Sequence, residues 1–161
     1  MRDSWKKGFS FGLTSAIITT LGMMVGLHSS THSKMAVIGG VIAIAVADAF
    51  SDALGIHISE ESENKHSQKE VWESTLATFL SKFLFAMTFV IPVFLIDSLE
   101  LAIMASVAYG LTLIVVFSAY IGCKGKQKTH EVVIEHLIIA IAVVIITHFV
   151  GDWIGENFPK T

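Results

Sequence analysis

Residues 35–58 read MAVIGGVIAIAVADAFSDALGIHI, and this stretch decides the fold. It is apolar over the roughly 20 residues that an α-helix needs to cross the hydrocarbon core of a bilayer, yet it contains Asp48 and Asp52. Its polar residues do not alternate with apolar ones, as they would in a strand of a transmembrane barrel. The stretch therefore predicts a membrane-spanning helix with two acidic side chains in its second half.

The rest of the chain has the same character. Hydrophobic residues make up 53% of the 161 residues and charged residues only 16%, and the mean hydropathy of +0.67 is too high for an ordinary water-soluble domain. The sequence predicts an all-α membrane protein with a single transmembrane domain over residues 1–161. Five transmembrane helices are expected, over about 9–29, 35–63, 72–96, 98–122 and 131–154.

The basic residues predict the orientation, because Lys and Arg favour the cytoplasmic loops of membrane proteins. Those on the N-terminal side of the membrane are Arg2, Lys6, Lys7, Lys65, Lys69, Lys124, Lys126 and Lys128. Only Lys34 and Lys160 lie on the opposite side. We expect the N-terminus inside and the C-terminus outside, in the cell (inner) membrane, with an organelle membrane as the alternative.

Two short matches indicate an internal repeat. Phe11-Gly-Leu-Thr returns as Tyr109-Gly-Leu-Thr, and Ile42-Ala-Ile-Ala-Val returns as Ile139-Ala-Ile-Ala-Val at nearly the same offset. Spans one and two would then correspond to spans four and five. An odd number of spans separates the copies, so the repeat would be inverted, as it is in many transporters that alternate access around a midplane site.

Asp48 and Asp52 are the first candidates for a functional site. A charged side chain at the centre of a lipid-facing helix costs about 2.5–3.5 kcal/mol, so both must face a cavity or a partner. At about 1.5 Å per residue they lie about 15 and 9 Å deep, and Lys82 of span three lies about 12 Å deep. The aspartates supply hard oxygen ligands for a divalent cation that exchanges with protons.

Lys82 leaves a second interpretation open. A buried pair between this lysine and the aspartates would simply hold two helices together. The two interpretations are compatible if Lys82 compensates the charge of the empty site or couples it to protons.

Two further groups have metal-ligand chemistry. The connection after span two contributes Glu60, Glu63, His66 and Glu70, which share the face of Asp52 if the helix continues inward. They predict an acidic approach for cations, with a solvated helix face as the alternative. A possible outer-side site has helical spacing and consists of His28, His32, His148 and Asp152. Hydrogen-bonded boundary residues are the alternative there.

Span one contains Gly8 and Gly12, then Gly22 and Gly26, at the spacing that lets another helix approach closely. A second copy of the chain is one candidate, so the glycines predict a homodimer through span one. The sequence contains no nucleotide-binding loop, nucleophile motif or paired cysteines, and we expect neither an enzyme nor a nucleic-acid-binding protein.

With these residues described, the chain resembles the vacuolar iron transporter family. The resemblance lies in Ser10-Phe-Gly-Leu-Thr-Ser15, Ser51-Asp-Ala-Leu-Gly55 leading into Ser59-Glu-Glu-Ser-Glu63, and Thr75-Leu-Ala-Thr-Phe-Leu-Ser81 with Pro92. It covers most of residues 8–96. It implies five helices, a cytoplasmic N-terminus, a homodimer with the ion path near the subunit interface, and proton-coupled export of Fe2+ or Mn2+ from the cytosol.

The chain departs from the family pattern in three ways. Phe11 stands where the family has a metal-binding Asp, and Asp52 stands where it has Met. The long glutamate-rich domain between spans two and three is reduced to residues 60–73, so the chain resembles a small form of the family. A carboxylate moved from one helix to its neighbour would keep the charge of the site and favour harder ions.

The resulting hypothesis is a divalent transition-metal transporter that binds Fe2+ or Mn2+ as the transported ion and has no permanently bound cofactor. Its expected partners are the lipid bilayer, metal ions, protons and a second copy of the chain. The alternative is a non-transporting assembly or regulatory protein, or a metal sensor with a structural Asp/Lys pair. An intramembrane hydrolase is disfavoured because Asp52 and His148 lie near opposite faces of the membrane.

Overall fold

The computed structural model describes residues 3–125 and 128–158, and this part of the chain is 91% helical without any strand. Its helices are α1 (Asp3–Thr31), α2 (Lys34–Ser62), α3 (Gln68–Thr88), α4 (Val90–Leu95), α5 (Leu99–Lys124) and α6 (Thr129–Asn157). Five helical spans of the described residues are long and apolar enough to cross a membrane, with α3 and α4 forming one of them. The predicted all-α membrane fold is confirmed.

The predicted orientation and the inverted repeat remain predictions. Three of the basic residues on which the orientation depends, Arg2, Lys126 and Lys160, lie outside the described residues. The others lie at or near helix ends. Lys82, on which the orientation does not depend, is buried inside α3.

The second helix extends to within one residue of its predicted end at 63 and is followed by a turn, but it does not continue to His66 and Glu70. α2 ends at Ser62, and Asn64 has a left-handed backbone with φ 51°. Asparagine tolerates this conformation, which ends a helix. A new helix begins after Ser67, so His66 lies in the turn and Glu70 in the first turn of α3. Neither residue therefore continues the face of Asp52 on α2. The sequence analysis expected both residues on that face if the helix continued inward.

The third span is interrupted near its end. The prediction of one helix over 72–96 misses a break at Phe89, whose N–H reaches back three residues to the Ala86 carbonyl at 3.2 Å. Pro92 explains the break, because proline has no N–H to donate and its ring clashes with the carbonyl four residues earlier. That carbonyl belongs to Thr88, the last residue of α3.

The chain divides into two compact units, one of Met1–Thr20 with Val41–Val90 and one of Leu21–Gly40 with Ile91–Thr161. In the first unit α1 and α3 approach very closely. A Cβ atom on Gly8 would collide with the Ser74 carbonyl, and one on Gly12 would collide with Ser81 Oγ. The Thr78 hydroxyl donates to the Gly8 carbonyl across this contact at 3.2 Å.

The second unit uses glycine in the same way. Gly22 faces Val143 and Thr147 of α6, and a Cβ on Gly151 would collide with the Gly26 carbonyl. All four glycines of the α1 spacing motifs therefore lie against helices of the same chain. The close approach that their spacing predicts is present, and its partners are α3 and α6.

The outer surface of α6 is apolar. Only 11% of the most hydrophobic stretch of α6 is buried, and its exposed large side chains include Ile138, Ile146, Phe149 and Trp153. A face of this kind is suited to contact with lipid chains, which are as apolar as the side chains themselves. It matches the membrane location that the helices indicate.

Candidate functional site

Lys82 lies between the two aspartates of α2. Its Nζ atom is 2.5 Å from Asp48 Oδ2 and 2.7 Å from Asp52 Oδ2. The aspartates share a face because residues four apart on a helix are neighbours, and Lys82 reaches them from α3. The structure thus brings together the three groups that the depth count, the number of residues from the membrane surface times the helical rise, places at similar depths.

Ser15 of α1 completes this cluster. Its hydroxyl donates to Asp52 Oδ2 at 2.6 Å and accepts from Lys82 Nζ at 2.5 Å. Three helices therefore contribute to the site, which we call the Lys82 cluster: Ser15, Asp48, Asp52 and Lys82. Sequence analysis missed Ser15, although the depth count that paired Lys82 with the aspartates also places Ser15 close to the level of Asp52.

Burial differs sharply within the Lys82 cluster. The Lys82 side chain is 1% exposed, whereas Asp48 is 25% and Asp52 18% exposed. With all three groups ionised the cluster has one net negative charge. The carboxylates are thus the accessible side of the cluster, and the ammonium group lies behind them.

Asp48 is the less satisfied of the two carboxylates. Its buried Oδ2 atom accepts no hydrogen bond from the described residues, although Lys82 Nζ lies beside it. The contact is an ion pair without hydrogen-bond alignment, whereas the Asp52 contact is a hydrogen bond. Buried carboxylate oxygens normally accept hydrogen bonds, so Asp48 is the group of the cluster with the greatest remaining capacity to accept a donor or a cation.

The surroundings of the cluster in the first unit are apolar. Ala16, Ala45 and Ala86 form a core of small buried side chains, with Phe83, Phe85 and Met87 packed against it. A low local dielectric strengthens the attraction between the ammonium and carboxylate groups. It equally raises the cost of leaving any one of them without a partner.

A second lysine contacts a second pair of carboxylates, Glu60 in the last turn of α2 and Glu63 directly after the helix. Lys7 of α1 forms a close ion pair with Glu60 and a longer one, 3.6 Å, with Glu63. His66 approaches the same two glutamates, with Nε2 at 3.3 Å from Glu60 and 3.7 Å from Glu63. Three of the four predicted loop ligands are therefore brought together, with a lysine among them.

Glu70 has a different local role. Its carboxylate accepts from the Ser67 backbone N–H at 2.9 Å and from the Ser67 hydroxyl at 2.8 Å. The Ser67 hydroxyl in turn accepts from the Glu70 N–H, which completes a capping box at the start of α3. Glu70 lines a cavity of about 440 Å³ beside Lys7 and Glu60, but its carboxylate is engaged in capping the helix.

The predicted outer-side residues form two neighbouring pairs in the second unit. The rings of His28 and His32 lie 5.5 Å apart, and His148 Nε2 lies 3.4 Å from Asp152. Ser29, which sequence analysis missed, bonds His148 Nδ1 at 2.6 Å. His148 and Asp152 are four residues apart within α6, which explains their contact. His32, in contrast, lies just beyond the end of α1 and has a left-handed backbone with φ 52°.

The geometry of these groups falls short of a complete set of protein ligands for a metal ion. Over residues 3–125 and 128–158, no three His, Cys, Asp or Glu side chains form a group that is ready to hold a metal ion. Asp48, Asp52 and the Ser15 hydroxyl are hard oxygen donors, and ions such as Mn2+ and Mg2+ accept water as further ligands. These oxygen atoms have the chemistry that hard cations prefer, and water would have to supply the remaining ligands.

Comparison with known proteins adds no family to these observations. The chain matches no protein-family model and no curated protein sequence. The similarity to vacuolar iron transporters therefore rests on the sequence motifs of spans one, two and three.

Proposed function

We propose that the protein is a membrane carrier for divalent cations, in which the cation and the Lys82 ammonium group compete for Asp48 and Asp52. One observation carries this proposal: a buried lysine bridges two carboxylates that are themselves partly accessible. A lysine ammonium group is a compact positive charge on a flexible stem. It occupies the position that a cation bound by the same oxygens would need.

The charge balance explains why such a site would release its ion. A divalent cation on both aspartates neutralises them and leaves Lys82 without a counter-charge in an apolar environment. An ammonium group without a partner in such surroundings is costly, so Lys82 returns to the carboxylates when the cation leaves, and the two positive groups alternate at one site. Exchange of the cation for protons is the coupling that the family resemblance implies, and it belongs to the proposal.

The ligand atoms indicate the class of ion. Two carboxylates and a hydroxyl favour hard cations, and Mn2+ fits this set better than a soft ion would. Fe2+ and Mn2+ are the ions that the family resemblance implies, and export from the cytosol is the direction that it implies. The identity of the ion and the direction of export both belong to the proposal, as does the homodimer. Because the glycine faces of α1 are occupied within the chain, a dimer would use another surface.

A second function has an observation in its favour. Lys82 makes polar contacts with Ser15, Asp48 and Asp52, so each of its three ammonium protons has a nearby oxygen. A lysine satisfied in this way is also suited to a permanent structural role that fixes the register of three helices. The protein would then be a non-transporting membrane scaffold or assembly partner.

Transport measurements in proteoliposomes distinguish the two functions. Purified protein should take up Mn2+ or Fe2+, with a rate that depends on an imposed pH gradient. Asp48→Asn should abolish uptake, whereas the matched change Asp97→Asn, at an exposed position outside the helices, should leave it intact. Absence of Mn2+, Fe2+, Co2+ and Zn2+ uptake with and without a gradient would contradict the carrier.

Protein that fails to fold must be separated from protein that fails to transport. The triple variant Asp48→Asn, Asp52→Asn, Lys82→Met removes all charges of the cluster together and leaves none uncompensated. We expect it to be monodisperse in detergent and inactive in uptake. Uptake at the wild-type rate by this folded variant would exclude the Lys82 cluster as the site.

A further inference from the structure

The acidic face of α2 extends beyond the Lys82 cluster. Asp52, Ile56 and Glu60 follow each other at intervals of four residues, so they lie along one side of the helix. Glu60 is about 12 Å from Asp52 along the helix axis. Ile56 between them is buried, with 8% of its surface exposed, and forms an apolar segment between the two acidic positions.

The ion pair between Lys7 and Glu60 closes the end of this face. The Glu60 side chain is 1% exposed, whereas that of Lys7 is 45% exposed. The buried partner is thus fixed in α2, and the exposed partner extends to it from α1. The cavity of about 440 Å³ is lined by these two residues together with Asp3, Ser4, His66 and Glu70, so the ion pair forms part of its wall.

We infer that the Lys7–Glu60 pair is a gate between this cavity and the Lys82 cluster, with Ile56 as the apolar plug beneath it. The inference deepens the proposed function and rests on it. When Lys7 leaves Glu60, a buried negative charge faces the cavity and attracts a cation. The same exchange of an ammonium group for a cation then occurs first at Glu60 and afterwards at Asp52.

Neighbouring contacts explain how the gate is held closed. Glu63 lies 3.6 Å from Lys7, and His66 Nε2 lies 3.3 Å from Oε2 of Glu60, the carboxylate oxygen that Lys7 does not contact. The Ser4 hydroxyl also bonds Glu73 of α3 at 2.9 Å. The start of α1 is therefore attached to both α2 and α3, and movement of this helix end would break these contacts together.

Thiol accessibility at position 56 tests the gate without requiring transport. Cys123 is the sole cysteine of the chain, so Cys123→Ser with Ile56→Cys leaves one thiol at the plug. The protein is reconstituted in nanodiscs and treated with a positively charged methanethiosulfonate reagent, and the reaction rate is followed by mass spectrometry. With Lys7 present, the introduced thiol should react slowly.

Lys7→Gln should raise this rate by about tenfold, the shift expected in an open–closed equilibrium when one ion pair to a buried carboxylate is lost. Lys6→Gln is the matched control, because Lys6 pairs with the exposed Asp3 instead. Lys7→Arg keeps the positive charge and should keep the thiol protected. Gel filtration of each variant checks that it is folded.

Each outcome decides the inference. Equal rates for Lys7→Gln and Lys6→Gln, or equally fast rates for Lys7→Gln and Lys7→Arg, would overturn the gate. Fast labelling of Lys7→Gln in a protein that moves no cation in proteoliposomes would retain the gate and remove the proposed transport. Cation transport together with an unchanged labelling rate for Lys7→Gln would retain the proposed transport and overturn the gate.

Discussion

Ser15 and Asp52 are joined by a 2.6 Å hydrogen bond that links α1 to α2 at a half-buried position in the first unit. The same serine accepts from Lys82 of α3. One hydroxyl therefore connects three helices and satisfies two charged groups at once. Its contribution should be larger than that of a typical membrane hydroxyl, because hydrogen bonds to charged groups are the stronger ones.

Ser15→Ala should lower the free energy of unfolding by about 1–2 kcal/mol, since both Lys82 and Asp52 lose a partner. Thermal unfolding in detergent measures the change. Ser62→Ala is the control, because that hydroxyl bonds only the Ser59 carbonyl at an exposed helix end. Equal melting temperatures for the two variants would show that the hydroxyl contributes little to the cluster.

Lys82→Met should be much more damaging, with a loss of about 3 kcal/mol, because it leaves two carboxylates in an apolar environment without compensation. Adding Asp48→Asn and Asp52→Asn should restore stability to within about 1 kcal/mol of the wild type. The comparison is made by thermal unfolding of all variants in one detergent. A triple variant as unstable as Lys82→Met would mean that packing, rather than charge, dominates at this position.

Gly12→Ala should destabilise the protein by about 1–3 kcal/mol through overpacking, because the added methyl group meets Ser81 Oγ and the Thr78 carbonyl. Gly39→Ala is the matched change on α2, where a Cβ atom meets nothing within 4 Å. That variant should be neutral or more stable, since alanine favours helices over glycine by about 1 kcal/mol. Melting temperatures in the opposite order would contradict the close contact between α1 and α3.

Glu70→Ala should lower stability by about 0.5–1 kcal/mol, because it removes half of the capping box at the start of α3. Cation uptake should stay at the wild-type rate, since the Glu70 carboxylate is engaged with Ser67. Gln68→Ala in the same helical turn controls for local helix propensity. A loss of uptake without a loss of stability would restore Glu70 as a cation ligand.

Much of the fold was predictable because span length and hydropathy decide it. The depth count also placed Lys82 level with Asp48 and Asp52, since rise per residue is nearly constant in helices. The same count places Ser15 near the level of Asp52, but depth alone does not identify a serine that contacts charged groups. Hydroxyls in helices commonly bond the carbonyl one turn earlier, as Thr14 and Thr19 do, and nothing in the sequence distinguishes the one that does not.

Other differences between the predicted and the observed helices had sequence signals that hydrophobic periodicity does not capture. The pattern Ser67-Gln-Lys-Glu70 is a capping box, and it indicates a new helix start rather than a continuing face. Pro92 indicated a break in the third span. The glycine spacing of α1 predicted close approach, but spacing contains no information about which helix approaches, so it could not separate α3 and α6 from a second copy.

The unequal burial within the Lys82 cluster has a chemical consequence. A reagent diffusing to the cluster meets an acid before it meets an amine, because Asp48 is 25% exposed and Lys82 only 1%. Carbodiimides should therefore modify the protein at mid-span, while amine-directed acylating reagents leave Lys82 untouched. The accessible part of the cluster is therefore acidic, although a buried ammonium group lies behind it.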